Sequence, residues 1–260
     1  MKYTIKTFRK DFPNDDRCLE YIFRARFPLE KKYKREVGTL RYSRSKGHKH
    51  LSPLAGTIFE GSTTPLTLWF YAIYLFSVSK NGVSGKELQR QLGVTYKTAW
   101  RMASQIRKLM ANNGNDKLLG IVEIDEAYVS KKPVLGAIER GGEVRTKVVE
   151  SMSGGQIAAH VIKNVSHEAQ LMSDGSKSYA WLDRHYIRES VNHSKEYTRG
   201  KIHINTMEAF WSQVKRSISG THHFVSPKHL QSYLDFFSFQ HGHRTSEVPL
   251  FLVLLGRACR

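Results

Sequence analysis

The stretch Ile121-Val122-Glu123-Ile124-Asp125-Glu126-Ala127-Tyr128-Val129 sets the tightest limit on the fold. Its apolar and polar residues alternate, the period of a β-strand. A carboxylate at Asp125, flanked by Ile124 and Ala127 on a central strand, costs free energy unless a cation or hydrogen bonds compensate it. Glu126 falls on the opposite face and is expected to be structural or exposed. Two further strands are predicted at Pro133–Ile138 and Glu143–Val149, joined at the turn signal Arg140-Gly141-Gly142. A helix from about Gly155 to Asn164 follows, then a short strand, Ala169–Met172, that runs into Ser173-Asp174-Gly175. The order strand, strand, strand, helix, strand, helix predicts an α/β fold with a mixed sheet. Its first and fourth strands are neighbours, which brings Asp125 and Asp174 together. Asp174, before a glycine, reads equally well as a turn aspartate.

Farther on, Asn205-Thr206-Met207-Glu208 opens a helix whose apolar positions Met207, Phe210, Trp211, Val214 and Ile218 follow helical spacing. Glu208 and Lys215, seven apart, share its polar face. Asn205 and Glu208 also form a capping-box variant, which would give the glutamate a purely structural duty. Ser226-Pro227 starts another helix through Leu230, Tyr233, Leu234 and Phe237. Asp125, Asp174 and Glu208, spaced 49 and 34 positions apart, are candidates to converge on magnesium or manganese, which hard oxygen ligands select.

Charge points to the partner. The 260 residues carry 41 Lys+Arg against 23 Asp+Glu, a net +18, and so basic a chain seeks phosphate or an anionic surface. Residues 1–50 hold a net +9, half the total in under a fifth of the length. Residues 82–110 add +5 around a second pattern. Ser84-Gly85-Lys86-Glu87 is a capping box, so a helix runs from about Gly85 to Leu92, and Gly93 ends it. Thr95 then caps a helix over Tyr96–Met110 with an apolar stripe of Ala99, Trp100, Ala103, Ile106 and Met110. Tyr96, Lys97, Thr98, Arg101, Gln105 and Lys108 are left outward. This is the helix-turn-helix arrangement that lays its second helix in the DNA major groove, although a helical hairpin with a solvated basic face fits the same pattern. The apolar run Pro65–Phe76 supplies a buried third helix, too short to cross a membrane.

Cys18 and Cys259 lie at opposite ends of the chain, so no disulfide framework is drawn. The N-terminus lacks the apolar core of a secretory signal, and a cytoplasmic protein is expected. The segment Asn112-Asn113-Gly114-Asn115-Asp116 reads as a linker. Domains are therefore expected at 1–51 (a basic N-terminal region), 52–111 (the helix-turn-helix) and 117–260 (the sheet). Ten of the 12 histidines follow residue 159, without the spacing of a zinc site.

Taken in order, Gly56-Thr-Ile-Phe-Glu60, Pro65-Leu-Thr-Leu-Trp-Phe70, Leu92-Gly-Val-Thr-Tyr-Lys-Thr-Ala-Trp-Arg101, Glu123-Ile-Asp-Glu126, Gly136-Ala-Ile-Glu-Arg140, Ser173-Asp-Gly175, Asn205-Thr-Met-Glu-Ala-Phe-Trp211 and Ser226-Pro-Lys-His-Leu230 resemble the DDE transposases of bacterial insertion sequences. The resemblance is to their ISXO-type branch, over about residues 50–244. It implies a ribonuclease-H-like catalytic domain and Mg2+- or Mn2+-dependent cleavage and strand transfer on double-stranded DNA, at terminal inverted repeats and a target. It also implies at least a dimer on DNA. A DNA-binding relic without catalysis is the alternative. By the resemblance Asp125 and Asp174 are the first two metal-binding acids. The third position is Glu208 or Asn205, with Lys215 facing the DNA backbone or the cleavage site in either case. The family's N-terminal zinc ribbon has no counterpart in cysteines here. Arg26–Val37 holds none, and Gly47-His48-Lys49-His50-Leu51 offers two histidines, so no structural zinc is expected. The loop between the first two strands also lacks the family's polar insertion.

Overall fold

The computed structural model describes residues 3–30, 32–36, 38–44, 50–112, 114, 116–191 and 202–260. Gly47, His48 and Lys49, and Asn113 and Asn115 of the expected linker, lie outside them. The chain divides into two compact units, one made of Met1–Ser79, Val83–Leu109 and Ser246–Arg260, the other of Lys80–Gly82 and Met110–Thr245.

The first unit begins with α1 (Ile5–Asp11) and α2 (Asp15–Arg26), followed by a small antiparallel pair, β1 (Lys34–Arg35) and β2 (Tyr42–Ser43). Asn14 caps α2 by accepting from Arg17 N–H at 3.0 Å. Asp15 caps a helix 51 residues away: it accepts from Leu66 N–H at 3.1 Å and from Thr67 N–H at 2.8 Å, fixing the start of α3 (Leu66–Val78). α3 is apolar on every side, as the centre of a helical unit must be, and buries Trp69, Phe70, Ile73 and Phe76.

α4 (Gly85–Leu92) and α5 (Tyr96–Leu109) follow, close to the expected ranges. Ser84 accepts from Glu87 N–H at 3.1 Å, and Gly93 ends α4 in the left-handed conformation at φ 65°. The buried stripe of α5 is Ala99, Met102, Ala103 and Ile106, whereas Trp100 is 39% exposed. Trp100 stands about 100° round the helix from Ala99, so Met102 takes the place expected of it.

The second unit is built on a five-stranded mixed sheet. β3 (Ile121–Val129) and β4 (Lys132–Glu139) form a hairpin closed by Ser130 and Lys131, both at positive φ (49° and 64°), the signature of a two-residue type I′ turn. The missing insertion is thus a tight turn. β5 (Val144–Val148) lies antiparallel on β4, and α6 (Gly154–Asn164) leads to β6 (Gln170–Asp174), which runs parallel to β3. β7 (Ile187–Val191), absent from the sequence reading, extends the sheet parallel to β6, giving the order β5-β4-β3-β6-β7. α7 (Asn205–Ser217) and α8 (Pro227–Gly242) complete the unit.

The two faces of the sheet differ. Val122, Ile124, Leu135 and Ala137 pack with Ile157 and Val161 of α6 and with Tyr179 and Leu182. The opposite face receives α7, which lies on β3 and β4.

The last helix, α9 (Leu250–Ala258), differs from expectation: it joins the helical unit, packing on α3 and α5, so the block expected over 117–260 ends in the sheet unit at Thr245. The physical reason is its apolar face of Phe251, Leu254 and Leu255, which is buried in the aromatic cluster of Phe8, Phe12 and Tyr74.

Candidate active site

Register places the first two acids. Ile121 pairs with Gln170, Val122 with Leu171 and Glu123 with Met172, an offset of 49 that is also the separation of Asp125 and Asp174. Carried two residues on, the parallel pairing sets both carboxylates at one level of adjacent strands. Asp125 pairs with Gly136 across the hairpin, on the face that receives α7. Burial pushes its carboxyl up to about 7, and the charges of Glu126, Asp174 and Glu208 push the same way against one backbone hydrogen bond. Asp174, half-buried at the end of β6, also turns the chain: its Oδ1 accepts from Ser176 N–H at 2.9 Å.

The start of α7 is not the capping box that its sequence allows. The cap position belongs to Ile204, which gives no side-chain bond, and Asn205 is the exposed first residue of the helix. The amide of Met207 donates instead to Glu123 Oε2 on β3 at 2.9 Å, and Thr206 Oγ1 donates to Glu123 Oε1 at 3.0 Å. Glu208 and Lys215 are exposed on α7, and the Glu208 charge reaches Asp125.

One carboxylate, Glu123, gains a role the sequence reading did not give it, and Glu126 takes the structural one of its two expected fates. Glu123 is completely buried and paired with Arg140 Nε at 2.7 Å. Its signal was the strand period, which puts it on Asp125's face two residues earlier. Glu126, on the opposite face, is partly buried and accepts from the hydroxyl of buried Tyr179. Burial pushes the Glu126 carboxyl up and the Tyr179 phenol far up. Beside them Arg188 donates to Ser173 Oγ at 2.8 Å, bracing the residue before Asp174.

Residues 129–241 match the family described as the ISXO2-like transposase domain. Over those residues the chain is similar to an insertion-sequence transposase domain of this branch. It is also 28% identical to an uncharacterized protein in transposable element ISH50 of Halobacterium salinarum strain NRC-1, with 71% of this chain and 72% of that relative covered. Asp174, Asn205, Glu208 and Lys215 fall inside the matched transposase segment, and Asp125 lies four residues before it.

The donor chemistry of this end of the sheet suits a hard divalent cation. Burial, and then the charges of Glu126, Asp174 and Glu208, favour the neutral form of Asp125, a cost that a bound cation would relieve. Among the described residues no three His, Cys, Asp or Glu side chains close round a single point as the ligands of one ion would.

The residues expected to read DNA all lie on α5 of the helical unit. Tyr96, Lys97, Arg101 and Lys108 are exposed, and Thr98 and Gln105 partly so. Two of them are also held by the protein. Arg101 Nη2 donates to Ser62 Oγ at 3.1 Å and its guanidinium lies 5.6 Å from the Trp69 ring centre. Tyr96 carries Lys86 Nζ 4.8 Å above its ring. Among the described residues no helix is long and apolar enough to cross a membrane. Of the two N-terminal histidines, His50 is described, and its Nδ1 lies 2.7 Å from Glu36 Oε1.

Proposed function

We propose that the protein binds the ends of its insertion sequence through a helix-turn-helix at α4 and α5. A ribonuclease-H-like domain then cleaves the DNA and joins the freed end to a target. The observation that carries the reading is the shared offset of 49, which levels Asp125 with Asp174 beneath the helix bearing Glu208.

Asp125, Asp174 and Glu208 would hold Mg2+ or Mn2+. Such ions would supply Lewis-acid chemistry at phosphorus, favouring an attacking and a leaving oxygen in an in-line displacement. The protein's own part is orientation. The exposed ammonium of Lys215, two turns beyond Glu208, contacts a phosphate of the bound strand, and the exposed side chains of α5 hold the end in register. Water attacks first, expelling a 3′ hydroxyl. That hydroxyl then attacks a target phosphate and expels another, so each step makes one P–O bond and breaks one.

Labelled element-end DNA incubated with the protein and Mg2+ tests this reading. Joined products support it, nicks alone indicate a nuclease, and binding without either indicates a DNA-binding relic. Asn205→Ala and Glu208→Ala decide the third acid: the ligand loses strand transfer as Asp125→Ala does, and the other variant keeps it. The proposal includes at least a dimer on paired ends, and light scattering that returns a monomer there would count against it.

A further inference from the structure

Glu123 is 0% exposed, yet three donors from two separate parts of the sheet unit meet at it. Arg140 Nε, just beyond β4, donates to Oε1 at 2.7 Å, Thr206 Oγ1 to Oε1 at 3.0 Å, and Met207 N–H to Oε2 at 2.9 Å. Arg140 Nη2 in turn donates to the carbonyl of His203 at 2.9 Å, on the approach to α7. Stability alone is a weak reason for such a pair, because well-packed apolar residues of the same volume are usually as stabilising as a buried ion pair. Its placement offers a better one. Glu123 stands two residues before Asp125 on the same face of β3, and the amide it holds belongs to the residue immediately before Glu208. The bridge from strand to helix therefore joins the neighbours of two acids.

We propose that Glu123, clamped by Arg140, is a positioning residue that fixes the first turn of α7 on β3 and so sets the separation of Asp125 and Glu208. The inference rests on the two-metal reading above. Without the clamp the helix start shifts on the sheet, and the acids hold a divalent cation less tightly while the rest of the fold persists. Residues that orient metal-binding side chains through one hydrogen bond typically cost roughly 10- to 100-fold in metal affinity when changed.

The test uses the full chain, with Mn2+ binding followed by the electron paramagnetic resonance of the free ion, beside end-DNA binding, strand cleavage and melting. Glu123→Gln keeps the shape and loses the charge. Thr206→Val removes one contact and serves should the first variant fail to fold. Mn2+ affinity is expected to fall about tenfold or more in Glu123→Gln and less in Thr206→Val. Cleavage is expected to recover at higher Mn2+, with end-DNA binding within about twofold of the parent. Unchanged Mn2+ affinity in folded Glu123→Gln, or in Thr206→Val if that alone folds, overturns the inference. So does an affinity loss matched by an equal loss of DNA binding, since that marks general unfolding. Asp125→Asn is the control: if it loses Mn2+ while both other variants keep it, positioning alone is wrong. If it too keeps Mn2+, the two-metal reading fails and the inference falls with it.

Discussion

The indole of Trp211 occupies the space that a β-carbon on Gly136 would need. Such a carbon would stand 2.6 Å from Trp211 Cζ2 and 2.0 Å from Met207 Cε. The methionine end can swing aside, but the ring cannot, because α7 lies flat on the strand pair that carries Asp125. Gly136→Ala is expected to destabilise the protein by about 1–3 kcal/mol, the usual cost of overpacking, and to lower strand cleavage with it. Urea unfolding checks this, and an unchanged midpoint would mean that α7 does not lie this close.

Asp125 couples pH, metal and stability. Its folded carboxyl is raised to about 7 from an ordinary 3.8, so below 3.8 it is neutral in both states. Between 3.8 and 7 the unfolded chain ionises first and stability falls as pH rises; above 7 the penalty is complete. In metal-free buffer Asp125→Asn is therefore expected to melt above the parent at pH 8 and level with it at pH 4. Mn2+ should raise the melting temperature of the parent and leave the variant unmoved. A variant that still gains from Mn2+ would remove Asp125 from the ligands.

Two histidines set an acid limit of opposite sign. Burial pushes His160 and His241 down to about 4, with Lys147 and Lys163 adding to the effect on the first and Arg244 on the second. Both are neutral in either state above the ordinary 6.5. As pH falls from 6.5 toward 4 only the unfolded chain takes up protons, so stability is lost across that window. For His160 the loss is on the order of 2 kcal/mol. Changing both to Gln should abolish the loss of stability on acidification from pH 6.5 to 4 and leave the opposite slope that Asp125 sets, and midpoints that still fall on acidification would place the titrating groups elsewhere.

Lys97 and Arg101 should separate under mutation. Both replacements by Ala are expected to weaken end-DNA binding and to reduce its salt slope by about one where a phosphate contact is lost. Arg101→Ala additionally gives up the Ser62 hydrogen bond and the Trp69 stack, and a melting loss worth about 0.5–1 kcal/mol should accompany it. Fluorescence anisotropy at three salt concentrations, paired with melting, reads both effects. Identical DNA binding by the parent and both variants would remove α5 from the interface.

Periodicity revealed the sheet unit because its central strands alternate and its helices carry apolar stripes. β3, β4, β5, α6, β6, α7 and α8 all fall within a few residues of their expected ranges, and β3 and β6 are neighbours as their order implied, while the 49-residue offset came from the register of the sheet. β7 escaped because Ile-Arg-Glu-Ser-Val is an edge strand whose Ile187 is 75% exposed, so burial imposes little pattern on it. Glu123 escaped for another reason. The strand period placed it on Asp125's face, but its role depends on its partners, and Arg140, Thr206 and Met207 lie 17, 83 and 84 positions away. The true cap of α7 was hidden with it, since the local capping-box residues suggested an answer within the helix.

The return of α9 to the helical unit orders the birth of the protein. A ribosome delivers all of the sheet unit, through Thr245, before it delivers Phe251, Leu254 and Leu255. The sheet can be finished while α3 still lacks a neighbour, and the helical unit closes only when translation has passed Ala258. A message cut short after Thr245 would thus yield a complete sheet beside an open set of helices with apolar surface bare to water. Such a polypeptide would be drawn to chaperones and proteases before it met DNA.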